Sequence, residues 1–484
     1  MSLSAYVERL RNGQAPGFPA EANSADFAKA LDQQDGLRHL RDEFLLPTKA
    51  SLRKRALDGT IPRQIDRARS TGGNEPNGHV SAADQQAIYF VGNSLGAQPR
   101  AIRRYVDAQL ETWASLGVNG HFTDLVDSPL PQWQDLAEAC ARASADIVGS
   151  SPHEIVIMNT LSVNLHLMMA SFYRPSGRRN KVILEWKPFP SDHYAIESQV
   201  RWHGLDPCEC MVKLEPDAGS ALITTEKVLE AIDRHADDAA LLLLPGIQYY
   251  SGQLFDMATI TARARAHGII VGWDLAHAVG NVELRLHDWD VDFACWCTYK
   301  YLNAGPGAIA GCFVHERHGS VGNAPFDYRP RLAGWYGGNK SVRFNMDTLF
   351  VPSPGASGFQ VSNPSAIDLA SLAGALSVFS RTSMRELRSK ALVLTAYLEH
   401  LLLLDDEPPF RILTPSDPAQ RGTQLSILLR EGLLEPVSRA LEENGVMCDK
   451  RKPDVIRLAP VPLYCSFHNV WEFVQILRSA LKGR

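Results

Sequence analysis

The chain has 484 residues, 45% hydrophobic and 21% charged, enough apolar material for a large core in roughly two to four domains. A formal net charge of −5 argues against nucleic acid as the main partner, and the Arg53-Lys54-Arg55 cluster reads as a solvated surface. No apolar run approaches the ~18 residues that cross a bilayer, the opening MSLSAYVERLR lacks the apolar segment of a secretory signal, and eight cysteines without a C-x-x-C pair suit neither a disulfide scaffold nor a cysteine-rich zinc site. The expectation is a cytoplasmic protein with reduced thiols, bound to no membrane.

Residues 1–58 read as polar helices, with Leu37, Leu40 and Phe44 as one apolar stripe, and 59–84 as a Gly/Pro/Asn/Ser-rich insertion without a period. Order resumes at AIYFVGNSLG (87–96), followed by helices over 101–117 and 132–148. From 150 to about 300, short apolar strands alternate with helices. EIVIM (154–158) leads to a helix near Leu161, and KVILE (181–185) to one near Ser191. ALLLLPGI (240–247) leads to one stopped by Gly268, and IIVGWD (269–274) and VDFACWCT (291–298) follow. Such alternation predicts a parallel sheet covered on both faces. Residues 320–362 look irregular, one long helix is expected over about 364–404, and the tail alternates strand and helix as a smaller α+β domain.

Open α/β sheets bind ligands beyond the carboxyl ends of their strands, and four stretches there are chemically loaded. Asp274 ends one strand, with His277 three residues on. Ser191 and Asp192 begin one helix, and Ser162 lies at the start of another. Lys300 sits within CWCTYKYLNAGPG (295–307). Alone, Asp274 and His277 read as an ordinary salt bridge or cap, and Ser191, Asp192 and Ser162 as ordinary N-caps. Lys300 is harder to dismiss, because burying an ammonium costs several kcal/mol unless it is paired or neutralised. An acid, a lysine 26 residues later (274 to 300) and hydroxyl-bearing helix starts upstream fit pyridoxal phosphate. That cofactor needs a lysine for its covalent link, a carboxylate for its ring nitrogen and a phosphate cradle. Spacing by itself does not separate this from a nucleotide-binding α/β fold, nor from a binding protein without turnover. Neither G-x-G-x-x-G after the first strand nor G-x-x-x-x-G-K-[ST] is present, which counts against a dehydrogenase or an NTPase.

Eight segments then resemble the kynureninase family of fold-type-I pyridoxal-phosphate enzymes, in its eukaryotic form. They are YFVGNSLGAQPR (89–100), NTLSVNLHLMM (159–169), EWKPFPSDHYAIESQ (185–199), YYSGQLFD (249–256), the long run from Gly272 to Gly307, LAGWYG (332–337), GFQVSNPS (358–365) and IRLAPVPLYCSFH (456–468). The resemblance implies a mainly parallel central sheet with a smaller α+β C-terminal domain. The divisions would be 1–86 (arm with the 59–84 insertion), 87–365 (large domain) and 366–484 (small domain). It implies Lys300 as the cofactor lysine and Asp274 as partner of the ring nitrogen, both catalytic. His277 would line the cofactor, Phe189 would stack on it, and Pro190, Ser191 and Asp192 would share that wall. Leu161, Ser162 and Tyr299 would hold the phosphate, together with Trp335 and Asn363 lent by a second subunit of a homodimer. Ser94, His121 and Asn363 would contact the substrate's aromatic ring, and Arg457 its α-carboxylate. Pro245 stands where some relatives have Ser, so a side-chain hydrogen bond is missing there.

The activity implied is hydrolysis of L-kynurenine or 3-hydroxy-L-kynurenine to anthranilate or 3-hydroxyanthranilate plus L-alanine, in tryptophan degradation and NAD biosynthesis. A polar ring pocket would favour the hydroxylated substrate. A cysteine desulfurase or aminotransferase of the same fold is the alternative; Cys312, Cys448 and Cys465 carry no evident desulfurase motif.

Overall fold

The computed structural model describes residues 1–62, 85–324, 326–405 and 407–482. Most of the expected 59–84 insertion lies outside them. By its contacts the chain divides into two units, Met1–Arg100 with Arg385–Arg484, and Ala101–Met384. The three-part division at residues 86 and 365 stays a proposal.

The 101–384 unit is built on seven strands: β1 (Ile155–Ile157), β2 (Lys181–Glu185), β3 (Met211–Leu214), β4 (Ala239–Pro245), β5 (Ile270–Asp274), β6 (Phe293–Trp296) and β7 (Gly311–Val314). Their order is β1-β7-β6-β5-β4-β2-β3. Only β7 is antiparallel to its neighbours, so the other six strands point one way. These strands are nearly continuous runs of Val, Ile, Leu, Phe, Ala and Cys, as expected where both faces are covered. Helices α1 (Leu161–Phe172), α2 (Pro190–Trp202), α3 (Thr225–Arg234) and α4 (Met257–Ala266) supply that cover. Leu165, Met168 and Phe172 of α1 and Val200 of α2 pack with Leu184, Leu243 and Phe293 of the sheet in one buried cluster. Close packing demands a glycine in β5: a Cβ at Gly272 would lie 2.2 Å from the Phe293 ring.

Strands β3 and β7 and helix α3 were not anticipated from the sequence. MVKL and GCFV are only four residues each, too short to show a period. The expected helix over 364–404 is two helices, Ala366–Phe379 and Met384–Leu402. Between them the Arg381 and Thr382 amides donate to Val378 and Phe379, closing a turn in a Ser-Arg-Thr-Ser stretch whose side chains compete with helical hydrogen bonding.

The other unit holds a four-stranded antiparallel sheet, β8 (Phe410–Ile412), β9 (Leu425–Leu429), β10 (Asp449–Arg451) and β11 (Val455–Leu458), in the order β8-β9-β11-β10. Helices Leu434–Glu443 and Phe467–Leu481 follow the strands in sequence. Buried Lys390 ties the N-terminal arm to this unit, pairing with Asp35 at 2.7 Å and donating to the Pro462 carbonyl at 2.6 Å. Of the expected N-terminal stripe, Leu40 and Phe44 are buried and Leu37 half-buried.

Candidate active site

Six co-directional strands place their carboxyl ends along one edge of the sheet, and a cavity lies there. Thr160, Leu161 and Ser162 line it after β1; Glu185 at the end of β2, with Phe189, Ser191 and Asp192 beyond it. Pro245 ends β4, with Ile247 and Tyr249 beyond it; Asp274 ends β5, with Ala276 and His277 beyond it; and Tyr299 and Lys300 follow β6. The register sets these residues beside one another, since Asp274 is opposite Pro245 in β4 and Cys295 in β6.

Lys300 is half-buried, and its Nζ lies 2.9 Å from His277 Nε2 and 5.9 Å from the centre of the Phe189 ring. Asp274 and Asp192 are both buried in the cavity wall, at 7% and 6% exposure. Asp274 Oδ1 accepts the Ala276 amide at 2.8 Å. Burial, and then the negative Asp274 beside it, push the Asp192 carboxyl well above the usual carboxylate range. Two adjacent buried acids hold a proton between them or require a cationic neighbour, and Lys300 already pulls Asp192 the other way. Burial likewise raises the Tyr299 phenol.

Two helix starts face the same cavity. The Ser162 and Ser191 hydroxyls, from the first turns of α1 and α2, are hydrogen-bonded to each other. Neither helix is capped by a side chain, whereas Ser2, Ser24, Thr224, Asp256, Ser365 and Ser466 all cap theirs. Two uncapped N-termini with adjacent hydroxyls form a cradle for a dianion. An acid pair able to hold a ring N–H, a lysine over an aromatic face and this cradle together fit pyridoxal phosphate.

Of the sequence-derived residues, Leu161, Ser162, Phe189, Ser191, Asp192, Asp274, His277, Tyr299 and Lys300 meet at the cavity, as does Pro245. Pro190 is the exposed first residue of α2. His121, Trp335 and Asn363 do not line it. His121 stands edge-on to Trp133, ring centres 4.9 Å apart. Trp335 is 48% exposed and donates to the Arg343 carbonyl at 3.1 Å, and Asn363 is exposed. Ser94 and Arg457 belong to the other unit; Arg457 is buried in β11 and ion-paired with Asp449. Thr160, Glu185, Ile247, Tyr249 and Ala276 line the cavity without having been picked out. Glu185 carried a signal, an acid closing an apolar strand, of the same kind that marked Lys300.

A family model for the kynureninase C-terminal domain matches residues 387–477. "Kynureninase 1" of Neurospora crassa is 63% identical over 99% of both chains. "Kynureninase" of Pyricularia oryzae is 59% identical over 96% of each. Among solved structures, an apo cysteine desulfurase from Thermococcus onnurineus is similar at TM-score 0.66 and 17% identity, covering 82% of this chain and 95% of its own. A mutant of C-DES with glycine linked covalently to its PLP cofactor is similar at TM-score 0.64 and 17% identity, covering 81% and 96%. At that identity the two structures speak for the fold alone, the fold-type-I arrangement expected from the sequence.

Proposed function

The chain belongs to the kynureninase family, and from that membership we infer that it is a pyridoxal-phosphate-dependent hydrolase. It cleaves L-kynurenine and 3-hydroxy-L-kynurenine to anthranilate or 3-hydroxyanthranilate and L-alanine. The observation that carries the reading is Lys300, held against His277 beneath the Phe189 ring and facing the Asp192–Asp274 pair.

Bound in the cavity, pyridoxal phosphate supplies an aldehyde for covalent capture of the amino group and a ring that withdraws electrons from the substrate's α-carbon. Lys300 is the residue that would carry the cofactor, and once displaced by substrate its amine is placed to move protons at the α-carbon. His277 orients that amine through the 2.9 Å hydrogen bond. Asp274, with Asp192 beside it, would hold a proton at the ring nitrogen. Phe189 and the apolar wall of Pro245, Ile247 and Ala276 would hold the ring and exclude water. Ser162, Ser191 and Tyr299 would hold the phosphate, with Leu161 presenting its backbone at the helix start and Pro190 fixing the start of α2.

Arg457 is assigned to the substrate's α-carboxylate, and Ser94 and His121 to its aromatic end. Trp335 and Asn363 are assigned to the neighbouring site of a homodimer. Their exposure supports this, and so does the aromatic patch in which Trp335 meets Phe344 at 5.4 Å and Phe344 meets Phe122 at 5.8 Å, with all three about half exposed or more. A cytoplasmic location suits its eight free cysteines. Among the described residues no helix is long and apolar enough to cross a membrane.

The test is direct. Purified protein supplied with cofactor should release anthranilate from L-kynurenine, and borohydride should fix the cofactor on the peptide containing Lys300. Lys300→Ala should lose turnover by several orders of magnitude while remaining folded. Label on another lysine, or cysteine desulfuration in place of anthranilate release, would overturn the reading.

A further inference from the structure

Glu185 is the one acid in the cavity wall to which the reaction above gives no task. It ends β2 with no exposed surface. Its Oε2 accepts the Lys187 amide at 2.6 Å, and its Oε1 accepts Gln248 Nε2 at 3.2 Å. Gln248 is itself a junction. Its Nε2 also donates to the Lys187 carbonyl at 3.1 Å, while its Oε1 accepts the Tyr250 and Ser251 amides, each at 2.7 Å. The two turns joined in this way carry Phe189 and Tyr249, whose rings meet edge to face at 5.3 Å.

We propose that Glu185 is a positioning residue of the cofactor cavity. Through Gln248 it stitches the turn bearing Phe189, which leads into Asp192 of α2, to the loop bearing Tyr249, and so sets the wall that a flat cofactor ring meets. The proposal rests on the cofactor assignment above. The stitch tightens when Glu185 is ionised, because hydrogen bonds to a carboxylate are stronger than those to a neutral acid. Burial, opposed by its two hydrogen-bond donors, pushes the Glu185 carboxyl up to about 7, so the stitch changes strength in the neutral range. The charged groups facing it are Lys187, which favours ionisation, Glu215, which opposes it, and Asp192. Asp274 and Lys300 lie beyond, against Asp192.

The experiment is reconstitution of cofactor-free protein with pyridoxal phosphate, followed by its visible absorbance at pH 6 and pH 8. Glu185→Gln keeps the shape but not the charge. It should bind about tenfold more weakly at pH 8, the loss of one charge-assisted hydrogen bond. It should also show a smaller difference between the two pH values than the wild type. Gln248→Leu cuts the same stitch from the other side without removing a titratable group. It should weaken binding to a similar degree, and the double variant should bind no worse than either single one. Gln248→Leu carries the test alone should Glu185→Gln fail to fold. Wild-type affinity and pH dependence in Glu185→Gln, wild-type affinity in Gln248→Leu, or additive losses would overturn the proposal. Borohydride mapping on the same samples separates the two readings. Label away from Lys300 in the wild type sinks the cofactor assignment, whereas label on Lys300 with unaltered variants sinks only the role of Glu185.

Discussion

An amine partly buried in a protein wall needs a compensating neighbour, and for Lys300 the hydrogen-bonded neighbour is an imidazole. Burial raises the carboxylates of the cavity: Asp192 is raised by burial and then by Asp274, and burial takes Glu185, held by the Lys187 amide and Gln248, to about 7. These shifts bear on stability with a definite sign. An acid whose folded pKa is raised keeps its proton in the native state after the unfolded chain has lost it. Its contribution is therefore full below the unfolded pKa and is lost as pH rises through the folded one. For Glu185 that window runs from about 4.3, the unfolded value, to about 7. Cofactor-free protein should lose thermal stability across it. Glu185→Gln, which has no proton to lose, should melt at a higher temperature relative to wild type at pH 8 than at pH 5. A constant difference in melting temperature between the two proteins at both pH values would show that Glu185 does not titrate there.

At the scale of elements, the cavity depends on how helices begin and how strands pack. The first turns of α1 and α2 are left without side-chain caps and bring Ser162 and Ser191 together. Ser162→Asp places a carboxylate at that point, where it satisfies the helix start itself and repels an anion. This variant should bind pyridoxal phosphate at least tenfold more weakly while leaving pyridoxal, which lacks the phosphate, unaffected. Equal loss for both ligands would place the phosphate elsewhere. Gly272→Ala tests the packing that sets Asp274 at its strand end. The added Cβ would lie 2.2 Å from Phe293, and the overpacking should cost about 1–3 kcal/mol, read from denaturant unfolding. Both helix starts were readable in the sequence as hydroxyl residues following strands. That they converge was not, because convergence depends on β2 lying two places from β5 and five from β1 in the sheet order. Sequence periodicity carries no such information.

At the scale of the whole molecule, the residues assigned to phosphate and substrate divide into those that one chain brings together and those it leaves apart. Trp335 and Asn363 are exposed and outside the cavity, which suits a contribution to a second copy's site. Lys300→Ala and Asn363→Ala chains, each inactive as homodimers, should then complement one another. The purified heterodimer would hold one intact site of two and about half of wild-type activity. A heterodimer without activity would mean that Lys300 and Asn363 of the same chain serve that chain's own site.

The sequence by itself determined the strand–helix alternation, the acid, lysine and hydroxyl stretches at strand ends, and the family. These are local patterns: runs of apolar residues, a charge inside such a run, and motifs with fixed spacing. Tertiary structure decided what depends on distant segments meeting. It placed Asp192 against Asp274 across 82 residues (192 to 274), His277 against Lys300, and Glu185 against Gln248. It also turned β7 against the direction of the other strands and divided the helix expected over 364–404. The physical reason is the same throughout. Propensity and spacing act over a few residues, whereas a shifted pKa or a stitched wall is created by burial and by neighbours that only strand order can supply.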